Sequence, residues 1–312
     1  MNKDFTGFGL YSSRDLVIKI TGNVIYTIVD LDIGVVATKS LSANPNLATV
    51  IVYNLARSTR ELLSTSIYDY INNVSPCNMS IELNNEVIYS GDIINVLHNP
   101  KRQKGEYETV FSCGKGANAV KQTLNKKYAK GSTVTSIVDD MISDLSSISG
   151  LAKGSIQGLK DCMSNRTLLR SVTMDGKIID NIKKMIKECT SGNSEIDVYI
   201  DDGLNIVAKN TILQPITDIT DVLLESPKLT EQGANVIVAF DSTYKIGAGF
   251  IIASNNIQSS YANLTLNALT QNQILGEGTY RITEVKHKID NFSSDVAKTE
   301  IVGILLAKVK GK

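Results

Sequence analysis

The run GTYRITEVKHKID, residues 278–290, contains no Gly or Pro after its first residue and is rich in Thr, Tyr, Ile and Val. Apolar and polar side chains follow each other with a period close to two, which predicts a β-strand. Similar runs surround it and predict an all-β segment after Pro215: Asn235 to Asp241, Gly249 to Ser254, Tyr261 to Ala268 and Ala297 to Leu306.

The N-terminal part has the same character, and its runs are separated by Gly, Asn and Pro. Asn84-Asn85 lies between two of these runs and predicts a hairpin turn. Ser58, with Glu61 three residues later, has the spacing of a capping box and predicts a short helix over Thr59 to Ile67. The predicted strands are Leu16 to Thr21, Val24 to Asp30, Ala48 to Tyr53, Asn78 to Leu83, Val87 to Leu97 and Glu106 to Cys113.

The middle of the chain is different. Apolar residues recur at helical spacing between Val134 and Ile148, after a capping Ser132 or Thr133, and this predicts an amphipathic helix that ends near Gly150. A second helix is predicted from Ile178 and ends before Gly192. A hairpin follows, Ile196 to Ile200 and Leu204 to Ala208, with Asp202-Gly203 in its turn.

We therefore predict a mainly β protein with two antiparallel β domains and a small α+β domain between them. The predicted boundaries are 1–115 for the N-terminal β domain, 116–215 for the α+β domain and 216–312 for the C-terminal β domain. A chain of 312 residues is long enough for two or three cores. No internal repeat is evident in the sequence.

The composition names no partner. Lys+Arg and Asp+Glu are equal in number, 32 each, so the net charge does not indicate a nucleic-acid or membrane partner. No apolar run is long enough to span a bilayer, so we expect no membrane insertion. No signal peptide is recognisable at the N-terminus, so we expect the protein to be assembled in the cytoplasm. The four cysteines form no CxxC pair and are predicted to be reduced thiols.

The residues that could carry chemistry do not form a recognisable constellation, and we expect neither an enzyme nor a cofactor. His98 and His287 lie in predicted strands without metal-ligand spacing, and no GxSxG is present. Residues 113–118 lack the spacing of a phosphate loop and are predicted to form a strand-to-helix turn. The acidic cluster Asp197, Asp201 and Asp202 lacks EF-hand spacing and is predicted to form an exposed hairpin tip.

Two groups of residues remain as candidate contact surfaces. A local excess of bases, including Lys121, Lys126, Lys127 and Lys130, is either a solvated face or a surface for DNA or an acidic partner. In the run from Tyr261 to Ala268, uncharged polar residues alternate with apolar ones, so one face of the predicted strand is polar. That face is either ordinary surface or the wall of a water-filled channel, and its residues are Asn263, Thr265 and Asn267.

Several short motifs occur in a fixed order along the chain, and their order resembles the central hub proteins of phage tail baseplates. The motifs are Ile51-Val52-Tyr53-Asn54-Leu55, Tyr89-Ser90-Gly91-Asp92-Ile93, Leu224-Glu225-Ser226-Pro227-Lys228-Leu229-Thr230, the strand Val236 to Phe240, Tyr244-Lys245-Ile246-Gly247 and the run 278–290. The resemblance extends over nearly the whole chain.

The resemblance implies two tail-tube-like β-barrel domains joined by the α+β domain. It implies a homotrimer that forms a pseudo-sixfold ring in the virion, joins the tail tube protein to a trimeric spike protein, contacts other baseplate proteins and passes DNA through its lumen. No β-helix repeat follows Leu306, so a separate spike is expected, and a contractile tail is preferred. The alternative function is a β-rich tail adhesin or receptor-binding module.

Overall fold

The computed structural model of the protein describes residues 15–22, 25–41, 44–61, 63, 77–101, 106–163, 166–189, 196–230, 233–252, 260–261, 278–291 and 297–307. Within these residues the chain is mainly β, with antiparallel pairing between most strands. Helices are concentrated in the middle of the sequence. The predicted fold class, mainly β with an α+β part, is confirmed.

The N-terminal β unit, residues 16–115, contains seven strands, and Asn84 and Asn85 form its predicted hairpin turn with positive φ at both positions. The strands are β1 (Leu16–Thr21), β2 (Ile25–Ile28), β3 (Ile33–Ser40), β4 (Asn46–Tyr53), β5 (Asn78–Leu83), β6 (Glu86–Lys101) and β7 (Glu106–Lys115). The sequence did not predict β3. This strand lies between β4 and β18 (Gly278–Asp290). Its less buried face carries Gly34 and the exposed apolar Val36 beside the buried Ile33 and Val35, so apolar and polar residues do not alternate clearly in its sequence.

The predicted capping box in this unit is wrong. Residues 57–61 and 63 are helical, so Ser58 lies inside the first turn instead of preceding it. The Arg60 N–H donates to the Ala56 carbonyl oxygen at 3.0 Å. Glu61 accepts a hydrogen bond from the Arg57 side chain at 2.8 Å, and this i,i+4 pair replaces the expected contact with Ser58.

The central unit, residues 117–208, contains four helices and five short strands: α1 (Ala117–Lys121), β8 (Thr123–Tyr128), α2 (Val134–Ser149), β9 (Ala152–Lys153), α3 (Gln157–Met163), β10 (Val172–Lys177), α4 (Ile178–Cys189), β11 (Ile196–Ile200) and β12 (Gly203–Ala208). Both predicted helices are confirmed. Thr133 caps α2 by accepting a hydrogen bond from the Ser136 N–H, and Gly150 ends it in the left-handed conformation. The predicted turn at 113–118 is also confirmed, with Gly116 at φ 74° between β7 and α1.

The C-terminal β unit, residues 213–307, contains β13 (Leu213–Asp218), a 3-10 turn (Thr220–Val222), β14 (Lys228–Leu229), β15 (Gly233–Ala239), β16 (Ala248–Ile252), β17 (Ser260–Tyr261), β18 and β19 (Lys298–Ala307). The run 278–290 forms one strand over its whole length. It pairs with β16 through its first residues, with β19 along most of its length and with β3 through Glu284–Asp290. The last pairing joins the two β units into one sheet.

Each unit has a separate hydrophobic core. The core of the N-terminal unit also receives Ile289 and Ala297 from the C-terminal unit, because the end of β18 lies against β3. The hairpin β11–β12 contributes Ile200 and Leu204 to the central core, while Tyr199 and Val207 pack in the C-terminal core. The residue boundaries of the three domains stay a prediction.

The two β units share the same strand order, which the sequence analysis did not detect. The order β3-β4-β7-β6-β5 in the N-terminal unit corresponds to β14-β15-β19-β18-β16 in the C-terminal unit. The residue pairings between neighbouring strands correspond as well. Both long hairpins have an irregularity at the same place, between Ile93 and Asn95 in β6 and between Ile282 and Glu284 in β18.

A histidine marks the equivalent position in both hairpins. His98 of β6 lies opposite Thr109 of β7, and His287 of β18 lies opposite Thr299 of β19. The neighbouring strands β4 and β15 align through the same ladders and carry the related sequences ATVIV, residues 48–52, and ANVIV, residues 234–238. The two β units are therefore two copies of one structural motif.

Candidate functional site

His287 is a buried structural residue of β18. Its side chain is fully buried, and its Nδ1 lies 3.0 Å from the Thr299 hydroxyl. The ring meets Phe240 edge to face, with 5.2 Å between the centroids. Burial, assisted by the positive charge of Lys39, lowers the pKa of His287 to about 3, although Asp241 acts in the opposite direction. This imidazole is neutral at pH 7 and packs inside the sheet.

His98 makes the same contact in the N-terminal unit. Its Nδ1 lies 3.2 Å from the Thr109 hydroxyl. Burial also lowers the pKa of His98, but its side chain is only half-buried. The two histidines belong to equivalent cross-strand pairs, and they lie in different units.

The acidic hairpin tip holds the central unit against both β units. Three bases from the β units meet its three carboxylates: Lys115 Nζ lies 2.8 Å from Asp202, Lys39 Nζ lies 3.9 Å from Asp201, and the Arg281 guanidinium lies 2.7 Å from Asp197. Asp201 is buried, so the prediction of an exposed tip is wrong for this residue.

Arg281 forms the most deeply buried of these contacts. Its side chain is 3% exposed, and its Nη1 donates both to the Asp197 carboxylate and to the Lys209 carbonyl oxygen. Nearby, the buried Asn46 side chain donates to the Ile200 carbonyl oxygen at 2.7 Å. The sequence analysis did not identify these partners, since residues far apart in sequence provide them.

Lys126 is bound to two acidic residues of its own unit. Its Nζ lies 2.7 Å from both Asp140 and Asp144 of α2, and the Tyr128 hydroxyl donates to the same Asp140 at 2.8 Å. The hydrogen bond with Lys126 lowers the pKa of Asp140, and the two carboxylates raise the pKa of Lys126. This lysine therefore joins β8 to α2.

The other three lysines of the predicted basic patch are exposed. Lys127 follows Lys126 on β8 and its side chain projects from the other face of the strand, as alternation requires. Lys130 lies in the turn after β8, and Lys121 ends α1. The structure thus separates Lys126 from Lys127. A role of the patch in contacting DNA or a partner stays a prediction.

Asn263, Thr265 and Asn267 lie outside the described residues. Their predicted position on a channel wall stays a prediction.

A surface groove of about 640 Å³ opens beside the start of α2, and Thr135, Ser155 and Gln157 are among its lining residues. The ion pair between Lys153 and Asp139 lies in this groove at 2.5 Å. In the described part of the chain, His, Cys, Asp and Glu side chains form no group of three or more that would hold a metal ion. None of the described helices combines the length and apolar character needed to cross a membrane.

Solved structures with a similar fold include two tail proteins and a component of the type VI secretion system. The chain is similar to the 43 kDa tail protein of prophage MuSo2 from Shewanella oneidensis, with a TM-score of 0.58, 10% identity and coverage of 95% of this chain and 100% of the other. It is also similar to a tail protein from Neisseria meningitidis MC58, with a TM-score of 0.56, 8% identity and coverage of 94% and 96%.

A third similar structure is the E. coli c3393 protein, described as a component of the type VI secretion system with structural similarity to the T4 bacteriophage tail proteins gp27 and gp5. The TM-score is 0.53 at 10% identity, and the alignment covers 95% of this chain and 79% of the other. At these identities the likeness establishes the fold. No curated protein matches the chain significantly in sequence.

The fold is thus one that tail proteins share. Residues 15–261 match the family Baseplate hub gp41. The chain belongs to this family, and the resemblance inferred from the sequence motifs is confirmed. Membership places the protein among the components of the tail baseplate, and hence of the virion, where it associates with other tail proteins.

Proposed function

We propose that three copies of this chain form the central ring of the baseplate, a non-enzymatic hub that joins the tail tube to the trimeric spike. The observation that supports this proposal is the duplication of the β unit within one chain. Three chains then present six equivalent β units, so one ring matches sixfold symmetry on the tube side and threefold symmetry on the spike side.

The ring encloses the channel through which DNA leaves the tail of a contractile particle. Asn263, Thr265 and Asn267 are proposed to line this channel, where uncharged polar groups do not hold DNA by charge. In the described residues each carboxylate of the hairpin tip lies beside a base from a β unit, so the tip presents little net charge to a passing polyanion.

Light scattering of the purified full-length protein, alone and with its spike protein, tests the ring. We expect about 102 kDa for the protein alone, three times the 33.9 kDa chain, or, if the ring forms only on the spike, a complex whose mass is that of the spike plus about 102 kDa. A mass of one chain under both conditions would contradict the proposal.

The exposed lysines of the central unit are proposed to contact a neighbouring baseplate protein. Because Lys126 is bound to Asp140 and Asp144, the informative variant is Lys127→Glu combined with Lys130→Glu. We expect at least a tenfold loss of affinity for the partner in a pull-down titration against isolated baseplate components, with an unchanged unfolding midpoint. Binding equal to that of the parent protein would show that the lysines form a solvated face.

A further inference from the structure

We propose that one end of the β8–β10 ladder docks onto another tail protein, whose surface there has an apolar pocket surrounded by carboxylates. The residues that make this contact are Lys130, Arg166, Leu169 and Arg170, and they are referred to below as the basic tip. The inference rests on the proposed contact of the exposed lysines with a neighbouring baseplate protein. It names the anchor of that contact and the chemistry of the partner.

The basic tip lies where two segments of the central unit continue the pairing of β8 with β10. That ladder ends at Tyr128 opposite Val172. Five residues further along each segment, Thr133 lies opposite Thr167 in the same register. Because Thr133 is also the cap of α2, this end of the ladder is attached to the start of a long helix.

Main-chain hydrogen bonds hold the backbone of the basic tip. The Gly131 N–H donates to the Leu168 carbonyl oxygen, and the Leu168 N–H donates to the Ser132 carbonyl oxygen, both at 2.9 Å. The Val134 N–H donates to the Arg166 carbonyl oxygen at the same distance. Since the backbone is already ordered, binding a partner costs little further conformational entropy in this segment.

Leu168 and Leu169 have opposite environments. Leu168 is half-buried and packs against the central core. The Leu169 side chain is 88% exposed, the highest value among the large hydrophobic residues that the structure describes. A single exposed leucine is common on protein surfaces. Leu169 differs from such a residue because its backbone is held in place and because bases surround it.

The charged residues beside Leu169 are all basic. Arg166 and Arg170 are its neighbours in sequence, and Lys130 precedes the glycine that is bonded to Leu168. The side chains of these three bases are exposed. Neither residues 129–133 nor residues 166–171 contain an Asp or a Glu.

The nearby acidic residues of α2 already bind other bases of the same unit. Asp140 and Asp144 bind Lys126, and Asp139 binds Lys153. Within the part of the chain that the structure describes, the bases of the basic tip therefore have no carboxylate partner. Their positive charge is available to a partner protein.

The chemistry of the partner follows from these side chains. The guanidinium groups of Arg166 and Arg170 match carboxylates in a bidentate geometry, and Leu169 is stabilised when an apolar pocket removes it from water. Phosphates of DNA would bind the bases and leave Leu169 exposed. Because the family places the chain among other tail proteins, the occupant is a protein with complementary charge.

Pull-down titration of the full-length chain against each isolated baseplate component tests the anchor. For the component that binds the parent protein, Leu169→Ser should weaken binding by at least about tenfold, as expected for an apolar anchor at the centre of an interface. Arg166→Gln/Arg170→Gln should weaken binding by a similar factor at low salt. At high salt this second loss should be smaller, since salt screens the charges.

Two matched controls leave the basic tip intact. Ile148→Ser removes an apolar side chain that is 54% exposed at the end of α2. Lys183→Gln/Lys184→Gln removes two exposed positive charges from α4. Both controls should bind within about twofold of the parent protein, and all four variants should keep its unfolding midpoint.

Maleimide labelling of Leu169→Cys tests the contact in the assembled tail. The labelling rate should be at least about tenfold lower in tails than in the purified protein, because the partner excludes solvent from the anchor. Ile148→Cys should label at similar rates in both, and the parent chain measures the background from its own cysteines. Equal rates for Leu169→Cys in tails and in purified protein would overturn the inference, and so would equal protection of the Ile148→Cys control.

The outcomes separate this inference from the proposed functions. If Lys127→Glu/Lys130→Glu loses affinity for a component and Leu169→Ser does not, the anchor is wrong and the lysine contact stands. Protection of Leu169→Cys already in a purified trimer would assign the surface to a second copy of this chain and overturn the inference. Weaker binding of Arg166→Gln/Arg170→Gln to duplex DNA, with unchanged binding of every protein component, would also overturn it.

Discussion

At the scale of single residues, the two β units differ most clearly in how deeply they bury an equivalent histidine. His287 and His98 each lie beside a cross-strand threonine hydroxyl. Only His287 is completely buried, and desolvation of the charged imidazole is the main cause of its low pKa. The histidine–threonine contact is therefore the same in both β units, whereas the burial of the histidine differs.

This difference predicts a dependence of stability on pH. Because the pKa of His287 is about 3 in the folded chain and about 6.5 when unfolded, the unfolded state binds a proton as the pH falls below 6.5. The free energy of unfolding should decrease by about 1.5 kcal/mol between pH 6.5 and pH 5 from this residue alone. Carboxylates titrate mostly below this range.

Urea denaturation at several pH values measures the effect. His287→Leu should remove most of the slope between pH 6.5 and pH 5, whereas His98→Leu, at the equivalent but half-buried position, should remove less. The same slope in the His287 variant and in the parent protein would contradict the assignment.

At the scale of elements, the hairpin β11–β12 connects the three units. One set of its side chains packs in the central core, another set packs in the C-terminal core, and its acidic residues meet bases from both β units. The sequence predicts the hairpin through Asp202-Gly203. The bases that meet the hairpin are not predictable from the hairpin's own sequence, because they lie in distant parts of the chain that only folding brings close to it.

The buried ion pair of this hairpin should matter more than the exposed one. Arg281→Met leaves the Asp197 carboxylate without its guanidinium partner, at an expected cost of about 3 kcal/mol in the free energy of unfolding. Lys115→Met removes a pair whose aspartate is 75% exposed, at an expected cost below about 1 kcal/mol. Denaturant titration compares the two variants, and equal costs would show that burial does not determine the contribution.

Other strands show where the local sequence pattern is insufficient to predict secondary structure. Among the described strands, β8 and β10 pair only with each other, and their sequences TLNKKY and VTMDGK have few large apolar residues, so alternation alone does not identify them as strands. β13 contains Pro215 and has β16 as its one partner in the described part of the chain, which fits an edge strand. With the exception of β3, the long strands with a buried face were predicted with bounds within a few residues of those observed.

At the scale of the whole molecule, the main feature is that the β unit occurs twice in one chain. The pairing of β18 with β3 joins the two β units within a chain. The related sequences at residues 48–52 and 234–238 are a signal of the repeat. They are too short to establish it without the common register of the surrounding strands.

The sequence by itself determined the order of β, mixed and β segments, the two long helices with the cap of α2, the hairpin turns and the family. These features depend on contacts between residues that are close in the chain, or on motif order. The tertiary structure was needed to show that the two β units form one sheet, that bases from both units lie beside the acidic hairpin, and that Lys126 binds Asp140 and Asp144 while Lys127 lies on the opposite face of β8. The physical reason is that a period of two defines two faces of a strand without specifying which distant strand or helix covers each face.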